Sequence, residues 1–201
     1  MNDAWQLTGP EMMLVQNTEW LLTKQQITGK VYELLGNLST HYSNLLQQYS
    51  PAAPELLLPA PKIARGEYYR QLPYVILDQP RFFKHEEAFA IRSLFWWGRH
   101  FSIHLHLSGN IKTQYLPRLL QHLQAGRLQE WHTVLQEDRW QHYFGPGNYM
   151  PVNSHAAETI AGVWQQQKFV KLGQYLPLNR WEEAFPFFAQ RFETLLQLLH
   201  T

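Results

Sequence analysis

An α+β fold built on an antiparallel sheet is what this sequence predicts. Apolar residues recur at helical spacing toward both ends of the chain, strand-like alternation fills the middle, and the two most strand-like runs meet at Gly98-Arg99. Strands joined by so short a connection run antiparallel, and helices segregated to the chain ends then cover the sheet. At 201 residues, 45% hydrophobic and 14% aromatic, the chain suits one ordered domain over residues 1–201.

Thr23-Lys24-Gln25-Gln26 has the form of a capping box, and Val31, Leu34, Leu35, Leu38, Tyr42 and Leu45 follow at helical spacing, so a long amphipathic helix is predicted over residues 24–49. Gly29 and Gly36 weaken it unless they mark close packing against another element. Residues 50–61, SPAAPELLLPAP, carry four prolines and cannot continue a helix. They read as an extended connector held on the core by Leu56, Leu57 and Leu58. A buried strand follows at 72–78, with Pro73 near its start. The central β-hairpin spans 88–107, with strands over 88–97 and 100–107. Ser108-Gly109-Asn110 interrupts the pattern before a helix at 113–124, whose first turn or so holds Pro117. Residues 126–155 fit helix and strand equally: Leu128, Trp131, Val134 and Leu135 have helical spacing, whereas Trp131, Thr133 and Leu135 alternate. A short helix at 156–165 and a strand at 168–172 lead to the C-terminal helix at 180–200. Asn179 and Glu182 supply a cap-like start to that helix, and Pro186 delays its regular part.

Composition narrows the function classes. The absence of cysteine excludes disulfides, thiolate metal sites and a Cys nucleophile. No apolar run reaches the length of a membrane span, and the first residues lack the basic and apolar regions of a signal peptide. A cytoplasmic protein with no membrane partner is therefore expected. Formal net charge is only +1, yet residues 62–127 hold ten Lys or Arg against four acids and five of the ten histidines. Residues 1–61 and 128–201 are both net acidic.

Candidate chemistry concentrates on the hairpin. If Gly98 takes the first central position of a two-residue type II′ turn, Trp97 opposes His100, Phe95 opposes Ser102, Ser93 opposes His104 and Ile91 opposes His106. These would share one face, while Trp96, Leu94 and Arg92 would share the other with Phe101, Ile103 and Leu105. Whatever the loop length, the pleat keeps His100, Ser102, His104 and His106 together. With Trp97 and Ser93 they are the candidate ligand-binding residues. His104 and His106 project side by side, a spacing suited to chelating a divalent metal with a third ligand from Asp78, Glu86, Glu87, Asp138 or His142. The same pair equally suits a half-buried sheet, hydrogen-bonded to Ser93 or to backbone.

Asp138 and His142 lie four apart, which on a helix makes either a carboxylate-oriented base or an ordinary pair, and otherwise a turn capped by Asp138. Arg65-Gly66-Glu67-Tyr68-Tyr69-Arg70 and Arg81-Phe82-Phe83-Lys84 interleave basic and aromatic residues, but no RNA- or DNA-binding signature accompanies them. No phosphate loop, nucleophile elbow or HExxH motif occurs, and adjacent Glu182 and Glu183 diverge on a helix. The sequence thus favours a binding or interaction protein whose His- and aromatic-lined sheet face holds a small polar or anionic ligand. Its alternatives are a small metal-dependent enzyme using His104 and His106, and a weak nucleic-acid binder acting through residues 62–127. The long apolar helices suit a homodimer.

Overall fold

The computed structural model describes residues 4–48 and 54–200. Helices α1 (Gly9–Val15) and α2 (Thr18–Gln47) precede four consecutive strands, β1 (Lys62–Tyr69), β2 (Leu72–Lys84), β3 (Glu87–Trp96) and β4 (His100–Ser108). Helix α3 (Gly109–Gln124), the short strands β5 (His132–Val134) and β6 (Tyr149–Pro151), helix α4 (Ala157–Gln166), strand β7 (Phe169–Pro177) and helix α5 (Ala184–Leu199) complete the fold. The seven strands form one antiparallel sheet in the order β1-β2-β3-β4-β7-β5-β6. The predicted α+β class, antiparallel sheet and terminal helices are all present.

Alternation divides the sheet. Phe89, Ile91, Ser93 and Phe95 of β3 share one face with Phe101, Ile103, Leu105 and Leu107 of β4 and with Val170, Leu172 and Leu176 of β7. All are buried under the helices in one continuous apolar core. Tyr42 of α2 is the deepest contact: its ring stacks on Phe192 of α5 at 3.6 Å, and its hydroxyl lies 2.9 Å from Ser93 Oγ. On the same side Trp164 Nε1 of α4 donates to Thr133 Oγ1, which donates to the Lys171 carbonyl.

Several boundaries differ from the sequence-based expectation for identifiable reasons. Helix α2 starts at Thr18 because Asn17 accepts from the Trp20 N–H, leaving Thr23 inside the helix and not at its cap. Helix α1 was not expected, although Thr8 and Glu11 form a full capping box. Gly29 and Gly36 do not mark close packing, since a Cβ at either would meet nothing within 4 Å. Part of the Pro-rich connector lies outside the described residues. The remainder makes a 3-10 turn at Pro54–Leu57 that buries Leu56, whereas Leu58 is exposed and pins nothing. Strand β1 was missed and β2 runs six residues beyond Asp78. Its register breaks after Asp78, at the cis Gln79-Pro80 peptide, and Gln79 bonds Ser39 and Ser43 of α2. Pro117 sits mid-helix in α3, not in its first turn. The C-terminal segment begins as a 3-10 turn, Leu178–Glu183, without the expected Asn179 cap.

The hairpin turn is the consequential correction. Trp96 opposes His100, so the loop has three residues. Arg99 N–H bonds the Trp96 carbonyl with Gly98 at φ +66°, which fits a type II turn with Gly at its third position. The pairing slips by one residue, and the β3 partners of the His face become Trp96, Leu94, Arg92 and Ala90.

Tyr42→Phe removes the hydroxyl facing buried Ser93 Oγ and is expected to cost about 1–2 kcal/mol. Combining it with Ser93→Ala should cost less than the two single losses added together, as read from urea denaturation of the four-member cycle.

Candidate functional site

On the face away from the helices, one cross-strand row runs Asp78, Arg92, His104, Gly173, His132 over β2, β3, β4, β7 and β5. Burial favours polar groups that satisfy one another, and Asp78, Arg92 and His104 do so, whereas His132 Nδ1 is left without a partner. Arg92 grips Asp78 through Nε and Nη2 at 2.7 and 2.8 Å, a two-point ion pair, while its Nη1 lies 2.9 Å from His142 Nε2. His104 places Nδ1 2.7 Å from the Tyr149 hydroxyl and Nε2 2.9 Å from Ser102 Oγ. Gly173 leaves space for this cluster: a Cβ there would lie 2.9 Å from His104 Nδ1 and 3.0 Å from the Phe144 ring.

The row is roofed by residues 135–148, which make the long connection between β5 and β6. Lys171, 1% exposed, holds that roof, with Nζ 3.0 Å from the Arg139 carbonyl, 2.7 Å from the Gln141 carbonyl and 3.0 Å from His142 Nδ1. From the opposite side the Tyr69 hydroxyl accepts the His142 backbone N–H at 2.7 Å.

These contacts fix a protonation state. A neutral imidazole offers one donor and one acceptor nitrogen, and the arginine facing Nε2 only donates. His142 Nε2 therefore accepts, and Nδ1 carries the proton. Lys171 must then accept at its lone pair while its two N–H bonds reach the two carbonyls, which describes a neutral amine. Burial, joined by the charge on Arg92, pushes the lysine well below its ordinary range. Burial, with the cations nearby, likewise holds His104 and His142 far below theirs.

The candidate ligand residues separate. His100, Ser102, His104 and His106 share the roofed face, all buried, with a cavity of only about 10 Å³ beside His104 and His106. Ser93 lies on the helix face against Tyr42, and Trp97 sits in the turn against Phe95, so neither joins them. His100 is enclosed by Trp96, Phe144 and Tyr175, and burial followed by Arg99 brings it down to about 4. His106 lies among Phe83, Trp140 and Phe169, and burial, its main cause, takes it to about 3.

Most of the metal-ligand candidates are engaged elsewhere, whereas His106 Nε2 is buried without a hydrogen-bond partner. Among the described residues no three His, Asp or Glu side chains converge to hold a metal ion. Both ring nitrogens of His104 have hydroxyl partners, Asp78 pairs with Arg92, Glu87 accepts from Asn110, and Glu86 lies 3.8 Å from Arg139. Asp138 and His142 share no helix; Asp138 accepts from Trp140 N–H and Gln141 Nε2 in a turn. Four of the ten basic residues in 62–127 reach acceptors inside the chain: Arg92, Arg81 on the Ala60 carbonyl, Lys112 on the end of α4 and Arg118 on the Leu199 carbonyl.

No family model matches this chain, and no curated protein matches it. Among the described residues no helix is long and apolar enough to cross a membrane.

What the face does offer is a cavity of about 260 Å³ between the roof and β1–β3, lined by Tyr69, Tyr74, Ile76, Arg92, Leu94, Trp140 and His142. Gly66 opposes Tyr74 across the β1–β2 pair, and any Cβ there would overlap the Tyr74 ring. Sequence reasoning missed Arg92, Tyr69, Tyr74 and Lys171 as site residues. The signal lay in the charged Asp78 and Arg92 within strands otherwise apolar, but it is readable only in the correct register.

Gly173→Ala crowds His104, Phe144 and Tyr149 and is expected to destabilise by about 1–3 kcal/mol in thermal or urea unfolding. The histidines held low by burial, among them His100, His104, His106 and His142, contribute stability that is present above their unfolded value near 6.5 and lost as pH falls, toward about 4 for His100 and about 3 for His106. Melting temperature is therefore expected to decline from pH 6.5 to 4. Lys171, held by burial well below the ordinary lysine range, adds stability that grows as pH rises toward that range, and Lys171→Met should flatten the rise.

Proposed function

We propose that the protein binds a small polar or anionic molecule bearing a flat ring, in the cavity between Trp140 and Tyr74. The observation that carries this reading is the meeting of Arg92 and His142 in an aromatic-lined space of about 260 Å³. Cavities that bind small molecules combine apolar walls with a few placed polar groups, and this one is just below their usual size range, which limits it to a small ligand. Tyr69, Tyr74 and Trp140 supply ring faces. Arg92 keeps N–H groups on Nη1 and Nη2 beyond those used by Asp78 and His142. Because Asp78 offsets the guanidinium charge, selectivity rests on hydrogen-bond geometry and ring contact more than on net charge. An aromatic carboxylate matches both features, with the carboxylate at Arg92 and the ring between the aromatic side chains.

The reading moves the binding residues from the centre of the His face to its β1–β3 side. His104, Ser102 and Tyr149 act on it indirectly, by holding the roof that carries His142 and Trp140.

Benzoate near ten times its Kd is expected to raise the melting temperature by about 3–6 °C, with inorganic phosphate as the ring-free comparison. Trp140→Ala, at a side chain 46% exposed, should remove the benzoate effect and leave the unliganded fold intact. If benzoate and a panel of related aromatic carboxylates give no shift, or a shift that survives Trp140→Ala, the proposal fails.

A further inference from the structure

Every described residue from Ala4 to Thr23 is exposed, and α1 buries nothing. Trp5, Met13, Leu14, Val15, Trp20 and Leu22 are each 50% exposed or more. Isolated helices shorter than about 12–15 residues are marginal in water, so a capped seven-residue helix without tertiary contacts needs a cover. Beside this arm, a groove of about 440 Å³ runs between α2 and the β1–β2 edge, with Lys24, Tyr32, Arg65, Tyr74 and Trp97 among its walls.

We propose that the arm of one copy lies in the groove of a second copy, and reciprocally, so that the chain forms a two-fold dimer by arm exchange. Charge supports the pairing. Residues 4–23 carry Glu11 and Glu19 and no Lys or Arg, whereas the groove presents Lys24 and Arg65, with Glu67 already 3.7 Å from Lys24. Apolar exposure supports it too: Trp5, Met13, Leu14, Val15 and Trp20 are each half exposed or more, and covering them would supply a large part of the about 800 Å² per partner in a standard stable interface. Arm and groove both belong to α2, so one two-fold axis beside that helix satisfies both arms and closes the assembly. An anionic bilayer is the weaker match, because surface-seeking helices carry Lys and Arg on their polar face.

Sedimentation equilibrium of the full chain at tens of micromolar is expected to give twice the 23.8 kDa chain mass. Met13→Glu and Trp20→Glu, both at exposed positions, should each return the mass to one chain without changing the circular dichroism spectrum. Arg65→Glu should weaken the dimer at least tenfold, and mixing it with Glu19→Lys chains should restore association through the swapped pair. A monomeric wild type overturns the proposal, including one that instead floats with phosphatidylserine vesicles. So does a dimer indifferent to the arm substitutions, and a dimer broken by them but unaffected by Arg65→Glu overturns the groove as its seat.

Discussion

The amine of Lys171 holds the polar half of this protein together. The roof over the sheet has almost no secondary structure of its own, and its carbonyls at Arg139 and Gln141 lie part-buried against the sheet. One side chain from the middle of β7 serves both and orients His142 as well. A charged ammonium could not do this beside Arg92, because both faces of the imidazole would then meet donors. The neutral amine resolves the conflict, and the hydrogen-bond pattern of the whole cluster follows from that choice. His142 is presented to the cavity, Arg92 is left to clasp Asp78, and His104 turns to Tyr149 and Ser102.

A second constraint sets which residues take part. A two-residue turn at Gly98 would have placed Ser93 beside His104 and sent Arg92 into the helix core, where an unpaired guanidinium is prohibitively costly. The three-residue loop reverses both. Ser93 becomes the polar partner that Tyr42 needs within the helix layer, and Arg92 reaches its carboxylate and imidazole neighbours on the roofed face. Polar satisfaction on the two faces thus agrees with a single register, and one short loop carries the information.

Much of this was legible in the chain. Periodicity located α2, α3, α4 and α5, and alternation located β3 and β4 and grouped the four polar residues of β4, because both patterns report directly on which face is buried. The parts that were not legible depend on distant partners. The length of the Trp97–Arg99 loop cannot be read from Gly98 alone, since glycine serves type II and type II′ turns alike. Strand β1 hid behind a charged edge composition, with Lys62, Arg65 and Glu67 in eight residues. Lys171 carries no local mark of burial, because its partners come together only where β7 lies between β4 and β5. The capping box at Thr8 was readable but was passed over for the weaker match at Thr23, whose side chain falls inside a longer helix.

The two outer strands have a consequence of their own. At one margin β6 is three residues long, and at the other β1 is charged and loses regular register between Gly66 and Tyr69. Open sheet margins are templates for another chain's backbone, and short, irregular or charged margins blunt them. A seven-stranded antiparallel sheet with so deeply buried a centre would otherwise be a hazard for ordered aggregation. Here both margins are blunted, so the sheet ends within one chain and offers a poor template for backbone pairing with another.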